Sequence, residues 1–575
     1  MTTMLRVVRG NFLRSAVFLP GRFSSQFTKF TSGDQAVSDV VSHLNEILED
    51  PSKKSDFAGV NRAFAYCFNK SNVAKRNKAL SAVQPLLPRL IAERPAEEIA
   101  DLVSGLVTGH STTFQPRANL AGKACHQLLL AAEETGMSLA PSIAASLFLS
   151  MSILRGKNNV LEALLKHALM NTDELRTQDV INLLRGAMLW EDVPRDLKKR
   201  ISHRSVVMNV EELSNESVSQ LAGCMIRLKI NPQHWIEGLE DFVRVNAMRL
   251  SETADGLALL SKVVFTICNN AVALPEVLET VNHALNTLKS SLTGSSAWVH
   301  LIWCCALEDM YPVKSLQTLF SMDAEDLRRL AGNKTVVKFL NDLHWLFVDG
   351  KLESSIVGGF PEEQYTILLN NFNAIHPPRR FVEDWRTRFK GAHCCLFDVR
   401  TRENYTLDVA VLRSTIDFDF LRWDDHQLHP AEVTARKMDR RRYCSAQAVL
   451  ILESSSFIQQ SFFPLGWVRM QKKVLESAGW DVSVIPKILL KRSGADGPTV
   501  ALKDRLDDIH ENNVLHCHGR KKSVYIPRDT EENFLEPKVH KPSAAKMRYM
   551  KLMAARARKL NSRQQITSGP KVREP

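Results

Sequence analysis

The chain has 575 residues, 75 Lys and Arg against 63 Asp and Glu, and a formal net charge of +12. Hydrophobic residues at 44%, charged residues at 24%, and only 25 Gly and 23 Pro exclude a wholly disordered, fibrous or collagen-like chain. The length predicts several core-forming units, or one long repeat array with something attached. No run approaches the roughly eighteen apolar residues of a spanning helix, so no membrane span is expected.

The charge sits at the ends. Residues 1–33 carry five basic residues (Arg6, Arg9, Arg14, Arg22, Lys29) and no acid. Residues 538–575 carry eleven basic residues and one acid, Glu574, which leaves the 504 residues from Asp34 to Pro537 at −3. Such termini bind, target or repel; they say little about fold.

Taken in chain order, residues 1–33 read as a mitochondrial presequence: Arg-rich, Ser-containing and acid-free. On a helix Leu5, Val8, Phe12, Ala16 and Leu19 share one side, with Arg14 opposite. Interrupting arginines argue against a secretory signal, and Gly21 to Ser25 is the expected processing neighbourhood. A disordered basic leader and a plastid destination are the alternatives. The ten cysteines are scattered through apolar stretches (Cys67, Cys125, Cys224, Cys268, Cys304, Cys305), as buried small hydrophobes are. His393-Cys394-Cys395 and His516-Cys517-His518 are the only metal-like clusters. Their spacing is too tight for the usual tetrahedral site, so no metal and no cofactor is expected.

From residue 34 to 350 apolar residues recur at three- and four-residue intervals, as in Val336-Leu340-Leu343-Phe347. Breaks fall at Pro85, Pro88, Pro95, Pro141, Pro194, Pro232, Pro275 and Pro312. One module reappears, an acidic or polar residue leading into an apolar helix with small residues inside. Its copies are anchored on Ile99, Ile143, Val180, Val218, Gly256 and Trp298, at steps of 44, 37, 38, 38 and 42 residues. That period predicts an α-solenoid of helix pairs, with an irregular helical domain as the alternative. No phosphate-binding Gly-rich loop, paired-His motif or nucleophile elbow is present, and a solenoid without catalytic motifs predicts a binding surface.

Beyond about Pro361 the texture changes. Strands are predicted at Ala392–Phe397, Tyr405–Val411, Gln447–Glu453 and Trp480–Pro486, and a helix at Gly466–Gly479 ended by its glycine. Strand, helix, strand at this spacing predicts a compact α/β unit with a parallel pair. Leu465-Gly466-Trp467, then Lys472-Lys473-Val474-Leu475-Glu476-Ser477-Ala478-Gly479-Trp480-Asp481-Val482-Ser483-Val484-Ile485-Pro486, resembles the core of the RAP domain. That domain is shared by FAST-kinase-like and other organellar RNA-binding proteins. The resemblance covers about 365–525, strictly some sixty residues of it, within an α/β domain expected at 361–527, with a longer insertion between the strands around Asp408 and Glu453 than the family has. Family members place helical repeats of about 37–38 residues before this domain, similar to the period above.

The resemblance implies organellar RNA binding and a restriction-endonuclease-like fold. Nucleases of that fold use an Asp and a Glu-x-Lys to hold a metal and activate water. Asp408 and Glu453 stand in the acid positions, but the residue two after Glu453 is Ser455 rather than Lys. The pair is therefore read as vestigial and the protein as no enzyme. The RNA-contacting candidates are basic residues near aromatics: Arg379, Arg380, Arg386 and Arg388; Arg440, Arg441 and Arg442; and Arg469, Lys472 and Lys473 on the predicted helix. Any one of these clusters equally fits a solvated face, and Trp480 is expected in the core. Residues 538–575 resemble the basic arms of ribosomal proteins, with Lys546, Arg548, Lys551, Arg556, Arg558 and Lys559 on one acid-free helical stretch.

The fold class expected is an α-helical repeat (α-solenoid) body, a small α/β RAP domain of restriction-endonuclease-like fold and a basic C-terminal tail. The function expected is RNA binding in the mitochondrial matrix. The partners expected are organellar rRNA or mRNA and ribosomal or other ribonucleoproteins. A metal-dependent RNA endonuclease in transcript processing and a protein-scaffolding solenoid are the rival readings.

Overall fold

The computed structural model describes residues 84–107, 114–134, 139–170, 175–190, 213–348, 358–375, 395–414, 420–421, 444–458 and 463–487, with isolated positions between 42 and 82. The chain divides into two compact units, Met1–Ile375 and His376–Pro575. Among the described residues it is mostly helical, with sixteen α-helices and a small mixed sheet of five strands. No helix of the described residues is long and apolar enough to cross a membrane.

The first unit runs α1 (Leu87–Glu93), α2 (Ala96–Gly105), α3 (Phe114–Glu134), α4 (Pro141–Ile153), α5 (Asn158–Ala168), α6 (Thr177–Leu189), α7 (Asn215–Leu228) and α8 (Gln233–Leu250). It continues through α9 (Ala254–Asn270), α10 (Pro275–Asn286), α11 (Ser296–Leu307), α12 (Val313–Phe320), α13 (Ala324–Ala331), α14 (Lys334–Phe347) and α15 (Glu362–Ile375). Prolines open helices rather than interrupt them. Pro141 and Pro275 begin α4 and α10, while Pro95, Pro232 and Pro312 are the residues before α2, α8 and α12. Proline fixes a helical φ and lacks an amide hydrogen that would be unpaired there anyway. Elsewhere a side-chain oxygen does the capping: Ser214, Thr253, Ser295, Asp323 and Asn333 each accept an amide of the first turn.

Alternate helices pack on one another. One series of contacts runs α2–α4–α6–α7–α9–α11–α14, and a second joins α1 to α3, α3 to α5, α8 to α10 and α10 to α12. The middle of the first series is apolar nearly all round, as helices with neighbours on several sides must be. In α11 Trp298, Val299, Leu301, Ile302, Trp303, Cys304 and Cys305 are all buried. Each large side chain so buried contributes about 1.5–3 kcal/mol before entropy is counted. Trp303 stacks on Phe339 of α14 at 4.3 Å, and its Nε1 donates to the buried Asp342 carboxylate at 2.9 Å. At the edge, α13 buries only Leu327, Leu330 and Ala331.

Three turns out of this series share one closure. The amides of Gly156, Ile230 and Met310 donate to the carbonyls of Met151, Met225 and Cys305, five residues back. The residue before each, Arg155, Lys229 and Asp309, is left-handed, with φ of 56°, 56° and 63°. This six-to-one bond satisfies carbonyls that the helix end would leave bare. Neighbouring members are further tied by Asn270, whose Nδ2 donates to the carbonyls of Met225 and Ile230, both at 3.0 Å.

The unit boundary differs from the one expected near Pro361. Helix α15 packs on α13 and α14, and Gln364 Nε2 donates to the Met322 carbonyl at 2.8 Å. It belongs with the helices because its contacts are there, although its sequence follows a break.

In the second unit β1 (Cys395–Arg400), β2 (Thr406–Ser414), β3 (Phe420–Leu421), β4 (Cys444–Leu452) and β5 (Asp481–Pro486) make a sheet of order β1-β2-β4-β5, with β3 on the end of β2. β1, β3 and β4 pair antiparallel with β2, and β5 runs parallel to β4. That parallel pair is the one the strand-helix-strand spacing predicts. α16 (Gly466–Ser477) makes the crossover and packs on β5. Its end is a fourth six-to-one closure, Trp480 N–H to the Leu475 carbonyl at 3.0 Å, with Gly479 at φ +103°. β2 and β4 are buried on both faces, which is why Leu407 to Leu412 and Ala446 to Leu452 read as near-continuous apolar runs. Trp480 is buried, as expected of a strand-leading core residue.

Candidate nucleic-acid interface

Of the sequence-derived site residues, Asp408, Glu453, Arg469, Lys472 and Lys473 lie among the described residues. Arg379, Arg380, Arg386, Arg388, Arg440, Arg441, Arg442, the tail residues Lys546, Arg548, Lys551, Arg556, Arg558 and Lys559, and the 1–33 leader lie outside them. So do His393-Cys394 and His516-Cys517-His518.

Asp408 sits in β2 at 8% exposure, and its Oδ2 accepts the Ile451 amide of β4 at 2.8 Å. A buried amide without an acceptor costs about 1–3 kcal/mol, so this bond alone explains an aspartate in an otherwise apolar strand. Glu453 follows β4 directly, its side chain 52% exposed, and meets the Lys487 ammonium at 2.5 Å. Lys487 stands just past β5, brought there by a parallel register that sets Leu452 opposite Pro486. Lys487 thus reaches Glu453 from the end of another strand, a pairing that no spacing along the chain reveals. Ser455, in the expected lysine position, lies in a short 3₁₀ turn, Ser454–Ser456. Among the described residues no three His, Cys, Asp or Glu side chains are grouped to hold a metal ion.

The helix α16 presents its three cations differently from the open basic face expected. Arg469 is only 8% exposed, with its guanidinium over the Phe463 ring, 5.1 Å from the centroid. At 100° per residue it lies opposite the apolar side made by Val468, Met470, Val474 and Leu475, so helix amphipathicity does not account for its burial. Lys472 donates to the Val482 carbonyl of β5 at 3.0 Å and pairs with Glu476 at 2.7 Å, which ties helix to strand. Lys473 is half-buried.

In the helical unit the described cysteines are buried. Desolvation pushes the thiols of Cys125 and Cys224 up to about 12 and raises Cys304 and Cys305 further, so none is a thiolate at neutral pH. They are the small core hydrophobes that their apolar settings predict. His300 lies between Phe265 and Phe339, its pKa lowered to about 4 by desolvation.

No protein-family model matches the chain, and no curated protein matches it either.

Proposed function

We propose that the chain is an RNA-binding protein of the mitochondrial matrix. In this reading the helical unit is an α-solenoid, the α/β unit is a RAP domain of restriction-endonuclease-like fold, and residues 538–575 are a basic arm. It binds ribosomal RNA or organellar transcripts as a ribosome component or as an assembly or RNA-maturation factor, without chemistry of its own. The observation that carries the reading is the series of alternate-helix contacts. Each of the six sequence anchors from Ile99 to Trp298 falls in the first turn of a successive member, α2, α4, α6, α7, α9 and α11. Quasi-one-dimensional stacking of that kind builds surfaces for long ligands. The +10 excess in residues 538–575 supports an anionic partner, as does the acid-free leader for an organellar address. The test is crosslinking and sequencing of RNA bound to the protein in isolated mitochondria, with sedimentation against ribosomal subunits. Organellar RNA is the expected recovery, and none would end the reading.

One observation favours a second reading, the metal-dependent RNA endonuclease: the Lys487 ammonium beside Glu453. Against it stands Asp408, whose carboxylate is already engaged by Ile451. Incubating RNA with the purified protein and Mg²⁺ or Mn²⁺ separates the two. Cleavage abolished in Glu453→Gln and Lys487→Met would establish the nuclease, and intact RNA is the outcome expected here.

A further inference from the structure

The near-neutral body hides a local concentration of charge. Between α3 and the turn from α4 into α5 lies an open groove of about 790 Å³. Lys123 and His126 of α3 line one side, and Arg155 and Lys157 of the turn line the other. All four side chains are exposed, and the described lining residues include no carboxylate. The acid nearest along α5, Glu162, pairs with Lys166 at 2.9 Å. Spacings of four and three residues put Asn119, Lys123 and His126 on one face of α3, so the helix turns a polar stripe to the groove.

The turn is built against local preference. A left-handed residue is what this type of turn requires, and here it is Arg155, while the glycine that would adopt that conformation freely stands one position later. Lys157 is the residue before α5, where the helix dipole is positive and a cation costs about 0.3–1 kcal/mol. The first turn of α5 has no acid, unlike that of α6, where Asp179 accepts the Arg176 amide at 3.0 Å. Like charges lining one groove, with no carboxylate among its described lining residues, raise the local potential, and a partner carrying spaced negative charge relieves it.

We propose that this groove binds the phosphodiester backbone of single-stranded RNA, with Lys123, Arg155 and Lys157 on phosphates and Asn119 and Asn159 on sugars or phosphate oxygens. The assignment rests on the RNA-binding reading above and adds a site within the helical unit to the basic arm. Amide side chains, lysines, arginine and a helix start are the groups proteins use to hold nucleic-acid backbone, and they carry no base preference.

The test compares the full chain with a Lys123→Glu, Arg155→Asn, Lys157→Glu variant, using a fluorescently labelled unstructured oligoribonucleotide titrated over a range of salt. Asparagine tolerates the left-handed conformation, and glutamate at the start of α5 suits the dipole, so an unchanged circular dichroism spectrum and melting temperature are expected. Each phosphate contact on a single strand contributes about 0.7 to the slope of log affinity on log salt. The variant should therefore lose about 2 from the slope and about tenfold to a hundredfold in affinity at 0.1 M salt. Full binding and full slope in the variant would overturn the groove while leaving the RNA-binding reading intact. No salt-dependent RNA binding by the wild type would overturn both. Equal groove-dependent binding of poly-glutamate would assign the groove to an acidic protein instead and overturn the RNA assignment.

Discussion

His300 offers a test of how tightly the helical unit closes around its centre. The ring keeps part of one edge exposed, but its Nε2 is shut off from solvent with no hydrogen-bond partner among the described residues. Phe265 and Phe339 flank it, the latter edge-on at 4.9 Å. Burial lowers its pKa from 6.5 to about 4, so the unfolded chain takes up this proton first as pH falls. Stability is therefore undiminished above pH 6.5, is lost as pH falls from 6.5 toward 4, and is flat for this group below that. By linkage the full shift would remove about 2 kcal/mol by pH 5, and the exposed edge reduces this to about 1–2 kcal/mol. His300→Phe removes the titration, keeps a ring against Phe265 and Phe339, and deletes an unsatisfied buried nitrogen. At pH 7 it should be neutral or stabilising by up to about 1 kcal/mol. Hydrogen exchange of the α11 amides, corrected for intrinsic rates, reads the opening free energy at pH 7 and pH 5. Wild type should lose about 1–2 kcal/mol more than the variant over that interval. Parallel losses would show that His300 protonates without penalty and that the reasoning fails.

Three further predictions concern single contacts. Gly186→Ala would place a Cβ 2.5 Å from Phe148 Cε1 where α6 crosses α4, so thermal unfolding should show about 1–3 kcal/mol of destabilisation. Asn270→Ala removes the side-chain donor from the Ile230 carbonyl and one of several donors from that of Met225, which keeps the Ile230 amide, and should cost about 1–2 kcal/mol, with faster exchange at the α7–α8 turn. Asp408→Ala leaves the Ile451 amide without its acceptor and should cost about 1–3 kcal/mol in protease resistance of the α/β unit, whereas Asp408→Asn, which keeps an acceptor oxygen, should cost less.

The helices were legible because burial repeats with the turn of a helix. Val180 and Val218 are both fully or nearly fully buried in α6 and α7, and both follow a polar first turn. The unequal steps have physical causes: the 44-residue step from Ile99 spans the 21-residue helix α3, longer than its counterparts. What sequence hides is pairing across distance. Lys487 reaches Glu453 only through the register of β4 and β5. Lys123 and Arg155 share a groove although 32 positions apart, and the net charge of −3 over residues 34–537 conceals them. Arg469 reads as one more basic residue on an amphipathic helix, and only the fold shows it buried with its guanidinium over the Phe463 ring.

The central claim, RNA binding driven by concentrated charge, is tested most directly by salt-titrated affinity of the full chain and of a chain ending at residue 537. The account predicts tight, salt-dependent binding by the full chain. It predicts a slope shallower by several units, at about 0.7 per single-strand phosphate, once the eleven basic residues of 538–575 are gone, with the residue of binding resting on the groove. Weak binding by the full chain that is indifferent to salt would contradict it.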